Sequence, residues 1–258
     1  MSRLRAKCPD CRAYTAVALG PTYQCHACGR EFGAGLVRVP RAWGEGGEAM
    51  AEAAAMPLPY PEAAVVEAAT LPEQTFAVAA ELPDRPLVLG GCCCAHVGAV
   101  EALAARHGRV AVVWLDAHGD LNTPETSPSG NPWGMPLRTL IDSGAVAPEH
   151  VVHIGARDLD PPEAEFIETA GIRTGAEAVA DAVAGTEGAY VAFDADSVDP
   201  AELDVFMPEP GGLRLEEVER VFREVAERTL VLGLGLTGLR RSEGNVPRLT
   251  RLAGALGL

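Results

Sequence analysis

The run Val110-Ala-Val-Val-Trp-Leu115 leads directly into Asp116-Ala-His118-Gly-Asp120, and its reading decides the fold. An unbroken apolar stretch rich in valine describes a strand buried on both faces, as in parallel sheets. The carboxylate, imidazole and second carboxylate then fall at the carboxyl end of the strand, where open α/β sheets bind ligands. Gly119 lets the chain turn, so that Asp116, His118 and Asp120 converge. A second strand, 189–193, ends the same way in Asp194-Ala-Asp196-Ser-Val-Asp199-Pro. Two strands that each close on D-x-[HD] supply five ligands to one crevice. Carboxylates between two divalent ions make a hydrolytic site. Asp199-Pro200 reads equally well as turn chemistry.

Outward from this centre, 87–89, 151–154 and 230–234 are further buried strands, and helices are expected at 95–107, 161–170, 175–184 and 214–227. The last of these places Leu215, Val218, Val221, Phe222 and Val225 on one face. Strands alternating with helices predict an α/β fold with a doubly wound, mostly parallel sheet over residues 85–258. Residues 37–84 are rich in Ala, Glu, Gly and Pro, and Pro57, Pro59 and Pro61 follow an Ala/Glu run at 45–55. They read as a partly helical connector.

Residues 1–36 form a third unit. Cys8-Pro-Asp-Cys11 and Cys25-His-Ala-Cys28 are two C-x-x-C knuckles, and four thiolates close a tetrahedral zinc site with no open position. The expectation is a small N-terminal zinc ribbon with a structural Zn(II), available for protein contact. Arg3, Arg5, Lys7 and Arg12 give it a basic edge but no aromatic platform for nucleic acid. The whole chain of 258 residues carries a formal charge of −15, which repels phosphate backbones. Hydrophobic residues are 48% and aromatics 5%, so the core must be aliphatic. No apolar segment follows the charged N-terminus, and none approaches the roughly 18 residues of a membrane span. A cytoplasmic protein is expected, whose seven cysteines serve as metal ligands or buried thiols.

WLDAHGDLNTPETSPSGNPWGMPL at 114–137 and FDADSVDP at 193–200 resemble the two signatures of the ureohydrolase (arginase/agmatinase/formiminoglutamase) family. GARDLDPPE at 155–163 and PEPGGL at 208–213 match further segments of it. The resemblance implies an arginase-like sheet carrying two Mn(II) or other divalent ions and a hydroxide that attacks a guanidinium-type carbon. By position, Asp116 and Asp194 bridge the ions, and His118 and Asp196 complete one of them. Asp120 binds the other and orients the hydroxide, which makes it the catalytic candidate. The resemblance also implies that Asn122, Ser129, Asn131 and Asp160 hold the polar end of an amino-acid-like small-molecule substrate, although each is an ordinary turn residue too. Family members commonly form homo-oligomers.

The chain departs from the family at several points. The family's first metal-binding histidine falls on Cys93, within Gly91-Cys-Cys-Cys94-Ala-His96. Cys93 is then a soft ligand for zinc, or His96 reaches in from one turn later, or one ion is missing and the cysteines are buried. Trp133 stands where arginases place a proton-shuttling histidine, and indole transfers no proton at neutral pH. Met207 replaces a threonine, and Leu236 or a glycine replaces the carboxylate that would pair with a guanidinium. The expected activity is hydrolysis of a linear amidine, guanidine or amide C–N bond with altered specificity. The expected ligand carries a neutral group facing Trp133, Met207 and Leu236. The competing reading is a catalytically impaired metal- or ligand-binding protein that uses its ribbon for interaction.

Overall fold

A computed structural model describes residues 4–258, so Arg3 lies outside the described residues. The first four strands, β1 (Arg5–Ala6), β2 (Ala16–Leu19), β3 (Thr22–Cys25) and β4 (Glu31–Phe32), make a small antiparallel sheet. The thiols of Cys8, Cys11, Cys25 and Cys28 lie within 4.8 Å of one another. A few apolar side chains, Ala6, Ala16, Tyr23 and Phe32, pack around the buried Cys8 and Cys25.

The large sheet has eight strands and begins where the connector was expected. It comprises β5 (Gly35–Val39), β6 (Glu62–Val65), β7 (Pro86–Gly90), β8 (Ala111–Leu115), β9 (Val151–Ile154), β10 (Arg173–Thr174), β11 (Ala189–Asp194) and β12 (Val231–Thr237). Their order is β10-β9-β8-β11-β12-β7-β5-β6, and every pairing is parallel. Segment 37–84 therefore contributes two strands of the main sheet instead of only linking two units. Arg38 hides β5 by interrupting its apolar run. The Arg38 guanidinium is satisfied by Glu62 at 2.6 Å and by the Met56 carbonyl at 2.8 Å, so the strand can bury a charge. The ribbon joins this sheet through a reciprocal backbone pair between Lys7 and Glu62.

Strand side chains alternate between two cores, as the two-residue period requires. Val88, Val112, Trp114, Tyr190 and Leu232 pack under α2 (Leu71–Glu81), α3 (Ala95–His107), α4 (Pro136–Asp142) and α5 (Pro161–Ala170). Leu87, Leu89, Val113, Phe193, Leu234 and Leu236 pack under α6 (Val179–Val183), α7 (Leu215–Arg228) and α8 (Asn245–Ala255). Leu236 therefore belongs to the core and does not face a ligand. A further short helix, α1 (Glu48–Ala51), lies in the former connector. The helix expected at 175–184 begins as a single 3-10 turn after Gly175, whose φ of 86° permits the sharp entry. None of the helices in the described residues is long and apolar enough to cross a membrane.

Gly235 on β12 lets the fully buried His96 and Tyr190 approach the backbone. A Cβ there would lie 2.2 Å from the Tyr190 hydroxyl and 2.3 Å from His96 Nδ1. Gly235→Ala should destabilise the protein by about 1–3 kcal/mol through overpacking. Urea denaturation checks this, and an unchanged midpoint would show that the rings move aside freely.

Candidate metal centre

The order β8-β11-β12-β7 brings four strand ends side by side, and the candidate residues sit on them. Asp116 follows β8, Asp194 ends β11, Thr237 ends β12, and Cys93 lies just beyond β7. The two D-x-[HD] loops fold alike. Asp116 Oδ1 accepts the His118 N–H at 2.8 Å, and Asp194 Oδ1 accepts the Asp196 N–H at 3.0 Å. Each first carboxylate thereby turns the third side chain back over the strand end. The loops are tied together where Ala117 N–H donates to Asp196 Oδ1 at 3.0 Å. Asp120 adopts φ 53°, a left-handed conformation rare outside glycine, and this aims its carboxylate inward.

These side chains form two groups that share one member. Asp116, His118 and Asp196 offer ligand atoms within 4.8 Å of one another, and so do Cys93, Asp116 and Asp120. His118 Nδ1 lies 3.1 Å from Asp196 and 3.5 Å from Asp116. Asp194 stands slightly apart. Its Oδ2 accepts from the Cys93 thiol at 3.0 Å and the Thr237 hydroxyl at 3.0 Å. The expected ligands all line one cleft of about 250 Å³.

The electrostatics of the cleft call for cations. Burial and the charges of Asp116 and Asp194 hold the Asp120 carboxyl well above the usual range. Burial and Asp196 push Asp194 up to about 7, and burial and Asp116 push Asp196 up to about 6. For His118, burial lowers the pKa, but the Asp116 and Asp196 carboxylates outweigh it and raise the imidazole to about 12. His118 is the single basic side chain among the described residues lining the cleft. Asp120 Oδ2 is buried without a hydrogen-bond partner. Several carboxylates and one imidazole around an unsatisfied oxygen form a donor set that fits divalent ions.

His96 takes no part. Its Nε2 meets Thr237 Oγ1 at 3.1 Å, its Nδ1 meets the Tyr190 hydroxyl at 3.1 Å, and burial lowers its pKa to about 3. The helical register puts it underneath the strand ends.

One wall of the cleft is polar. Asn122 donates to Asp160 at 2.8 Å, Thr126 donates to Asn122 at 2.9 Å, and Ser129 accepts the Asn131 N–H at 3.2 Å. Glu163, buried beneath this wall, accepts from the backbones of Leu121 and Asp160, each at 3.0 Å. Arg157 donates to the carbonyls of Gly155, Glu209 and Pro210 and so clamps the loop carrying Met207. Another part of the lining is apolar, made by Met50, Trp133, Phe206 and Met207. Trp133 meets Phe206 edge-on with centroids 6.1 Å apart. Segment 41–50 leans over this wall. Glu45 N–H donates to Asn131 at 3.0 Å, and Gly44 lies so close that a Cβ would strike the Trp133 ring at 2.2 Å.

Sequence reasoning missed Met50, Phe206, Thr237 and Gly238. Phe206 adjoins the anticipated Met207, whereas Met50 reaches the cleft only through tertiary folding of the connector. Gly238, with φ 67°, lies two residues beyond Leu236 and lines the cleft. A Cβ there would lie 1.9 Å from Asp194 Oδ1, so no side chain fits.

The description of the Arginase family matches residues 48–240, reaching well upstream of Arg85. The arginase of Bacillus caldovelox is 36% identical over 173 residues, 57% of this chain and 58% of the relative. The chain thus spans somewhat over half the length of that curated relative. The crystal structure of arginase from Bacillus cereus superposes with a TM-score of 0.71 at 27% identity, covering 86% of this chain and 97% of that one. Formimidoylglutamase from Bacillus subtilis shares the fold, with a TM-score of 0.68 at 18% identity over 87% of each chain.

Loading Mn(II) at pH 7 should release protons, because His118 is protonated there, Asp194 partly so, and ligation requires the bare donors. His118→Ala should release fewer protons per ion. An indicator dye in weak buffer reads both, and equal release from the two proteins would place the ions away from His118.

Proposed function

The chain belongs to the arginase family, and on that premise we propose that it is a metal-dependent hydrolase of a linear amidine, guanidine or amide C–N bond, with specificity shifted toward uncharged groups. The observation that carries this reading is the pair of ligand groups meeting at Asp116 in one cleft. Asp116, His118 and Asp196 would hold one divalent ion, and Asp120 with Asp116 and Cys93 the other, with Asp194 flanking both. Manganese fits the family, and ions bound there supply Lewis acidity and make water a nucleophile near neutral pH. Cys8, Cys11, Cys25 and Cys28 would hold a structural zinc, and the exposed Leu4, Tyr14 and Leu19 on the ribbon suit a protein partner.

The residues of the chain divide the remaining work. Asp120 lines the cleft and would accept a proton from attacking water, while its left-handed backbone and the Glu163–Leu121 bond restrain its carboxylate. The Asn122–Asp160 wall orients the polar end of a small, amino-acid-like substrate, with Ser129 and Asn131 at its rim. Trp133, Phe206, Met207 and Met50 exclude water from the other end. A guanidinium placed there meets no carboxylate, and an unpaired cation in an apolar pocket is costly. An uncharged amide or amidine suits the wall better.

A second reading, binding without turnover, draws on Trp133, which offers no proton, and on Gly238. Ammonia and urea release from a panel of L-arginine, agmatine, N-formiminoglutamate, neutral amidines and amides separates the two. Turnover is expected on a neutral member in preference to L-arginine, and Asp120→Asn should reduce it by about 10²–10⁴-fold. No release from any member by ion-loaded protein would establish the second reading instead.

A further inference from the structure

The two ends of the acidic cleft differ in chemistry. One end offers an imidazole and two carboxylates, Asp116, His118 and Asp196. The other offers a thiol with two carboxylates, Cys93, Asp116 and Asp120. Sulfur selects for softer ions, whereas an oxygen-rich site with one imidazole accepts manganese readily. We propose that the centre is divided, with a thiophilic ion of the zinc class at the Cys93 end and a harder ion of the manganese class at the His118 end. This inference rests on the metal-dependent reading above and goes beyond it in assigning different ions to the two positions.

The geometry fits a ligand already in position. Cys93 Sγ lies 3.6 Å from Asp116 Oδ2. Around a tetrahedral ion with sulfur at about 2.3 Å and oxygen at about 2.1 Å, those two atoms would be about 3.6 Å apart. The loop that carries Cys93 has little freedom to retreat. A Cβ at Gly90 would lie 2.6 Å from Ala95, and one at Gly91 would lie 2.6 Å from the Arg41 carbonyl, so the backbone is wedged between α3 and segment 41–50. An independent pointer is Asp120, whose side chain belongs to the same group. It is 4% exposed, and its Oδ2 has no partner. His96, the other soft candidate nearby, is committed to Thr237 and Tyr190.

Ion binding here exchanges one bond for another. The Cys93 S–H bond breaks, its proton leaves to solvent, and sulfur donates the freed electron pair to the ion. The hydrogen bond from Cys93 to Asp194 is lost in the exchange, leaving the Thr237 hydroxyl as the donor to Asp194 Oδ2. No oxidant or reductant is involved.

The test is a zinc titration of full-length protein whose ribbon is already zinc-filled and whose cleft is loaded with manganese. Bound zinc and manganese are measured by elemental analysis in wild type, Cys93→Ser and Cys93→His. The wild type should exchange a single manganese at low zinc and keep the other until zinc is in large excess. In Cys93→Ser the zinc needed for that first exchange should rise by more than the roughly 10–100-fold that loss of an outer-shell partner costs. Cys93→His should hold two manganese ions. Cobalt added in place of zinc should give a sulfur-to-cobalt charge-transfer absorption beyond that of the ribbon in wild type alone.

Identical zinc exchange and identical cobalt spectra in wild type and Cys93→Ser would overturn the division while leaving a two-ion hydrolase intact. A wild type that binds no ion beyond the ribbon would defeat the metal-dependent reading and this inference together. Should Cys93→Ser fail to fold, Cys93→His decides, since an unaltered zinc preference in that variant would also overturn the proposal.

Discussion

Concentrated negative charge in a dry place is the constraint around which this molecule is organised. Asp116, Asp120, Asp194 and Asp196 are all buried at adjacent strand ends, and the described residues lining their cleft include one imidazole and no lysine or arginine. Buried carboxylates repel one another, and burial together with neighbouring charge holds Asp120, Asp194 and Asp196 above the usual carboxylate range. The fold tolerates this because each loop spends its own backbone N–H groups on the carboxylates. The parallel sheet holds the four strand ends in fixed register. Flexible scaffolding would let the carboxylates separate, so the rigidity of β7, β8, β11 and β12 is what keeps them together.

Much of this was legible from the chain. The strand before Asp116, the helices at 95–107 and 161–170, and the ligand motifs all follow from local periodicity, because buried parallel strands and amphipathic helices carry their pattern within a few residues. What escaped had its cause elsewhere in space. Arg38 makes β5 look like a linker, and the ion pair that allows its burial comes from Glu62. Leu236 and Thr237 are neighbours on one strand with opposite destinations, one in the core and one beneath Asp194, and register alone decides which is which. His96 looked like a spare ligand until its two nitrogens were seen to be occupied.

Segment 41–50 shows how a site can be modified without touching its chemistry. Most of it precedes the part of the chain that the family description covers, yet it presses on Trp133 through Gly44, donates to Asn131 through Glu45, and adds Met50 to the apolar wall. The candidate ligands stay where the strand ends put them, while the neighbouring wall is supplied from a part of the chain with no strand pattern of its own.

The seam between ribbon and sheet carries a consequence for solubility. β6 is the outermost strand on its side and carries the half-exposed Val65. Open strand edges invite pairing with other chains, and proteins commonly cover them. Here part of the cover is a stretch of backbone at Lys7, next to Cys8, and its shape depends on four thiols sharing one point in space. Oxidising those sulfurs would therefore do more than disturb a small module. It would unmask a sheet margin and turn this flank of the chain into a template for self-association.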